Sequence, residues 1–140
     1  MIRHFRAEDI NNIMQLWLDT NIQSHSFINR KYWQDNFAAV KEAILQATVY
    51  VCEQDGQIQA FIGLSGNYIA GLFVSKDFQS KGIGKLLLDY SKSKYNELTL
   101  RVYKKNDRAL KFYLREKFSI SESSIDENTG ETELTMMWKS

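Results

Sequence analysis

"FQSKGIGKLLLDY", residues 78–90, sets Gly82 and Gly84 on either side of one isoleucine, directly before a run of leucines. A glycine inside a helix costs about 1 kcal/mol relative to alanine, so two at a helix start do not serve helix stability. The first amides of a helix lack internal acceptors, and the helix dipole places partial positive charge there. Bare backbone at that point lets an anion approach. Residues 79–84 therefore read as a pyrophosphate cradle of Gln79, Ser80, Lys81, Gly82, Ile83 and Gly84, with Lys81 and Lys85 adding positive charge. The plainer alternative is a strand-to-helix turn, for which glycine is the default residue. Two familiar phosphate loops do not fit: GxGxxG would need a glycine at Leu87, and a Walker loop would need one at Gln79 and a hydroxyl at Leu86.

Working outward, "YIAGLFV" at 68–74 is almost continuously apolar and predicts a central strand buried on both faces. Before it, "TVYVCEQDGQIQAFIGLSG" at 48–66 turns at Asp55-Gly56, the signal of a hairpin. Residues 1–6 predict a first strand. Ile10, Ile13, Met14, Trp17 and Leu18 are spaced for a helix, and Trp33, Phe37, Val40, Ile44 and Leu45 for a second, with 19–28 as the loop between them. After the glycines come a helix to about Tyr95, an alternating strand "ELTLRV", and a helix opened by the good N-cap residue Asn106. Two closing strands follow near 118–125 and 132–138. Hairpin-linked strands combined with a strand-helix-strand crossover predict an α/β (α+β) fold, a mixed sheet with helices on both faces.

Composition narrows the function. At 140 residues the chain has the length of one domain, expected to span 1–140. A net charge of +1 leaves no global field for nucleic acid or a membrane surface, so neither is an expected partner and an anion must be captured locally. No apolar run approaches the roughly 20 residues needed to span a bilayer, and "MIRHFRAEDI" lacks a signal-peptide core, so the expected location is cytoplasmic. Cys52 has no disulfide partner, and with His4 and His25 it offers no zinc spacing, so no metal is expected.

The cradle, the following strand and "NDRALKFYLREKF" together resemble the acetyl-coenzyme A site of the GCN5-related N-acetyltransferase (GNAT) superfamily. That signature is Q/R-x-x-G-x-G/A, met by Gln79, Gly82 and Gly84, with an asparagine about seven residues before a tyrosine, met by Asn106 and Tyr113. "LWLDTNIQSHSFI", "VYKKN" and "MMW" are similar to the small bacterial YiaC/YjaB-type members. The resemblance implies a sheet of about seven strands with a splayed central pair. It also implies an acetyl-CoA-dependent N-acetyltransferase (EC 2.3.1 class) acting on a primary amine, either a protein lysine or N-terminus or a small amine. A non-catalytic acetyl-CoA sensor is the alternative. Monomer and homodimer stay open. One departure is visible: the glycine and phenylalanine that commonly follow the tyrosine helix are here Lys117-Phe118.

In such enzymes the amine attacks the thioester directly. The resemblance implies that the pantetheine arm pairs with Leu72, Phe73 and Val74, that Asn106 contacts the cofactor, and that Tyr113 protonates the departing thiolate. Gly71 reads either as a bulge opening the splay or as a close-packed strand glycine. A phenol with ordinary pKa near 10 is a reasonable match to a thiol leaving group. The group that takes the amine's proton stays open between His25, which ordinarily titrates near neutrality, and Glu53. Phe27, Tyr32 and Trp33 read either as the lining of an acceptor pocket or as cover for the core, and the spacing of Trp33 with Phe37 favours core for Trp33, which leaves Phe27 and Tyr32 as the candidate acceptor-pocket residues.

Overall fold

The computed structural model describes Met1 to Ser140. In chain order the elements are β1 (Ile2–His4), α1 (Ile10–Ser24), α2 (Arg30–Gln46), β2 (Thr48–Gln54), β3 (Gln57–Ser65), β4 (Tyr68–Val74), α3 (Ile83–Lys92), β5 (Glu97–Tyr103), α4 (Asp107–Arg115), β6 (Ser119–Ile125) and β7 (Thr132–Lys139). The strands form one seven-stranded sheet in the order β1-β2-β3-β4-β5-β7-β6. Only β4 and β5 run parallel, because α3 carries the chain across between them. No helix is long and apolar enough to cross a membrane.

Strand alternation divides the core in two. Ile62, Leu64, Ile69, Leu98 and Leu100 turn toward Ile83, Leu87 and Leu88 of α3 and Tyr113 of α4. Val49, Val51, Phe61 and Tyr103 turn toward Ile13, Met14 and Trp17 of α1 and Trp33 and Ile44 of α2. The DG hairpin forms as the sequence predicts, with Asp55 at φ 54° and Gly56 at φ 75°, both left-handed as its turn requires.

The central pair is splayed. β4 and β5 pair only through Tyr68↔Thr99 and Ile69↔Leu100. On the other side of β4, Leu64 pairs with Ile69 and Gly63 with Gly71, so Ala70 is the extra, bulged residue. Gly71 has its own reason: a Cβ there would lie 2.3 Å from the ring of Phe73, which packs across it and stacks on Phe61. The bulge and the close packing are thus adjacent features rather than alternatives.

Three expectations need correction. The segment 19–28 is not a loop, since α1 runs on to Ser24. Its polar run lacks an apolar stripe, yet Thr20 and Asn21 are buried because their side chains donate to the carbonyls of Leu16 and Trp17 one turn back. β4 is not buried on both faces; Ile69 is buried, but Leu72, Phe73 and Val74 are only half-buried because the splay opens a cavity beside them. The first strand is shorter than expected, three residues rather than six.

Lys117 keeps the turn that a glycine would make. It sits at φ 75°, with its N–H donating to Leu114 O at 3.2 Å and the Phe118 N–H to Tyr113 O at 3.0 Å, a Schellman closure of α4.

Candidate active site

The main cavity, about 510 Å³, runs from the start of α3 along β4 to α4, and the end of α1 closes it. This volume falls in the range of small-ligand sites. At one end is the cradle. Gly82 is the N-cap of α3 at φ 81°, a conformation that turns the chain so sharply that a side chain would be strained there. The first helical bond runs from Leu86 N to Gly82 O, and no main-chain N–H from Ser80 to Lys85 meets a protein acceptor. These unmet donors converge with the positive end of the α3 dipole, which is what a diphosphate requires. A Cβ on Gly84 would meet Val74, Phe112 and Leu72 at 3.5 to 3.9 Å, so packing alone does not demand glycine there.

The cationic partners differ from expectation. Lys85 lines the cavity but is drawn aside by the buried carboxylate of Glu116 at 2.8 Å and by Asp89 at 3.3 Å, with its ammonium held above the usual lysine range by those partners. Lys81 lies outside the cavity, over the ring of Phe78. The cation at the cradle is Arg108, whose guanidinium donates to Gln79 Oε1 at 2.8 Å and Ser80 Oγ at 2.9 Å. Gln79 in turn donates to Val74 O at 3.0 Å, tying the cradle to β4. Ser80 itself stands at φ 64°. Arg108 escaped the sequence reading although a signal existed: a cation in the first turn opposes its own helix dipole and so has another task. Thr20, Asn21 and Ser24 also line the cavity, and the mistaken loop assignment hid them.

Tyr113 faces the same space from α4 and is only 8% exposed. Its ring packs edge-on against Phe112 and Phe118, while its hydroxyl has no hydrogen-bond partner within the protein. Burial pushes the phenol above its ordinary value, so it stays protonated at neutral pH. Asn106 caps α4 through Oδ1, accepting from Ala109 N at 3.3 Å. Its Nδ2 stands 3.1 Å from His25 Nε2.

His25 caps the C-terminus of α1 and lines the cavity. It stacks on Trp33 at 5.2 Å and meets Phe27 and Tyr103 edge-on. The expectation that it titrates near neutrality does not hold, because burial lowers it to about 4. Glu53 lies outside the cavity, bound to Arg3 at 3.1 Å, with its carboxyl held below the usual range by that guanidinium. Phe27 and Tyr32 also stand outside the cavity; Phe27 packs on Tyr103 and Tyr32 on Trp33, so they belong to the α1/α2 side of the sheet.

Comparison with known proteins agrees with this geometry. The family described as "Acetyltransferase (GNAT) domain" matches residues 46–120. The chain is 33% identical over 140 residues to the peptidyl-lysine N-acetyltransferase YiaC of Escherichia coli (strain K12), covering 99% of this chain and 96% of the relative. It is 27% identical over 131 residues to YjaB of the same organism, covering 92% and 88%. The solution structure of apo-form YjaB from Escherichia coli superposes with a TM-score of 0.87 at 25% identity, over 99% of this chain and 96% of that one. With a seven-stranded mixed sheet splayed at its centre, unmet amides at the start of α3 and these relatives, the chain belongs to the GNAT acetyltransferases and is an acetyl-CoA-dependent N-acetyltransferase.

Proposed function

We propose that this enzyme moves the acetyl group of acetyl-CoA directly onto the side-chain amine of a lysine in a protein. The observation that carries the reading is that Ser80 and Gly82 to Lys85, whose amides are free, share one cavity with the unbonded hydroxyl of Tyr113. The amides and Arg108 hold the diphosphate. The edge of β4 beyond Ala70 has no strand partner on the β5 side, so Leu72, Phe73 and Val74 offer main-chain groups to the amides of the pantetheine arm. Asn106 shapes the end of that channel by fixing α4 against His25.

The neutral amine then adds to the thioester carbonyl, and the resulting tetrahedral intermediate collapses by breaking the C–S bond. Tyr113 gives its phenolic proton to the departing sulfur, and the proton lost from nitrogen restores the phenol. Two curated relatives are peptidyl-lysine N-acetyltransferases, which supports a protein lysine as acceptor over a small amine.

Isothermal calorimetry with acetyl-CoA, followed by free-thiol release over a panel of lysine peptides, N-terminal peptides and small amines, tests the reading. Binding with turnover on lysine peptides is expected. The absence of binding at millimolar acetyl-CoA, or turnover confined to small amines, overturns it.

A further inference from the structure

Accepting that reading leaves one step without a residue. A lysine amine, with ordinary pKa near 10.4, arrives charged at neutral pH and must lose a proton before it can attack. His25 is a poor acceptor because it titrates near 4 and its Nε2 is engaged by Asn106. Glu53 is engaged by Arg3.

The splay says where the amine enters. Leu72 and Val74 pack with the α3/α4 side, where the cradle lies, while Phe73 and Tyr103 pack with the α1/α2 side, from which Phe73 and the end of α1 also line the cavity. The gap is thus open to an acceptor from that second face. There the β5–β7 register sets Glu133 directly opposite Tyr103, one strand from the gap.

Besides Ser124, its pairing partner on β6, the titratable neighbours of Glu133 come from four places in the fold. Tyr103 and Arg101 lie on β5, Tyr68 on β4, Tyr32 on α2 and Asp126 in the β6–β7 turn. Asp126 is committed to the Tyr103 hydroxyl, which donates to it at 2.6 Å, and the nearby Glu131 is paired with Lys105 at 3.1 Å. Glu133 takes part in none of the protein's ion pairs, although it is half-buried. An unpaired, partly desolvated carboxylate is costly to keep and is rare without a task.

We infer that Glu133 is the group that takes the proton from the incoming amine. An N–H bond of the ammonium breaks, its proton passes to a carboxylate oxygen of Glu133, and the freed lone pair attacks the thioester carbonyl. Glu133 returns the proton to water after product leaves, so the cycle is balanced. Loss of hydration, with Asp126 nearby, holds this carboxyl above the ordinary glutamate value, in the direction a general base for neutral conditions requires.

The test is acetylation of a lysine peptide by Glu133→Gln and Glu133→Asp, with thermal melts and acetyl-CoA calorimetry on each. The Gln variant is expected to fold and bind acetyl-CoA as the wild type does and to lose about 10²-fold or more in kcat. It should also lose the acidic limb of the kcat/KM profile, while Asp keeps that limb with part of the rate. A peptide carrying the less basic S-(2-aminoethyl)cysteine in place of lysine should be less sensitive to the Gln change. A Gln variant with a near-normal rate, or one that retains the acidic limb, overturns the inference. If that occurs while Tyr113→Phe is inactive, the proposed function stands without it, whereas no acetyl-CoA binding by the wild type removes both.

Discussion

Asn106 Nδ2 lies 3.1 Å from His25 Nε2, so the first residue of one helix cap holds the last residue of another. Because Oδ1 of the same asparagine accepts from Ala109 N, its Nδ2 is the donor and His25 Nε2 the acceptor, leaving the imidazole proton on a buried, unpartnered Nδ1. A neutral ring suits this arrangement. A charged one does not.

His25 should therefore act in stability rather than in the neutral pH–rate profile. Its folded value, about 4, lies below the ordinary 6.5, so the folded state binds fewer protons between these values and stability falls as pH drops through that window. The loss is on the order of 3 kcal/mol. Urea melts from pH 7 to pH 4 should show a shallower decline for His25→Gln than for wild type, with unchanged pH dependence of turnover above pH 6.

Tyr113→Phe should reduce kcat by about 10²- to 10⁴-fold, the usual worth of a positioned proton donor, with little change in acetyl-CoA affinity. Since the hydroxyl has no protein partner, no hydrogen bond is lost and the melting temperature should not fall. Near-normal thiol release would remove Tyr113 from the mechanism.

The two cradle glycines should separate. Gly82→Ala forces a side chain to φ 81° and should cost about 1 kcal/mol in stability, together with weaker acetyl-CoA binding. Gly84→Ala places its Cβ in ordinary contact and removes a helix glycine, so it should be neutral or stabilising by up to about 1 kcal/mol. Paired denaturant melts and calorimetry on both variants check this difference.

Lys117→Gly should stabilise the protein by about 0.5–1 kcal/mol, because glycine adopts φ 75° without the steric cost lysine bears and the Schellman bonds are main-chain. A lower midpoint in urea for the glycine variant would contradict it.

Arg3 joins Asp9 and Glu53, and both carboxyls are held below their usual values by it. Their contribution is full above the ordinary carboxylate value near 4 and is lost as pH falls through the lower folded values. Glu53→Gln should flatten the acid limb of stability below about pH 4 while leaving turnover unchanged. Reduced turnover in a well-folded variant would return Glu53 to the active site.

What the sequence determined by itself was local in origin. Asp55-Gly56 and Gly82 announce their turns because left-handed φ is a property of one residue. Asn106 announces its cap because an N-cap bond spans three positions, and the apolar periods of α2 and β5 follow from the geometry of helix and strand. The family resemblance at Gln79, Gly82, Gly84, Asn106 and Tyr113 added the chemistry to these local signals.

Only the tertiary structure decided which charges are free. Lys85 looks like a phosphate ligand until Glu116, 31 positions away, captures it, and Arg108 looks solvated until Gln79 and Ser80 turn out to be its partners. His25 looks titratable until Trp33, Tyr103 and Asn106 close around it, and Glu133 gains meaning only from the register that sets it beside Tyr103. A side chain's charge depends on its solvation and on partners distant in the chain, and neither is encoded in the neighbours it has in sequence.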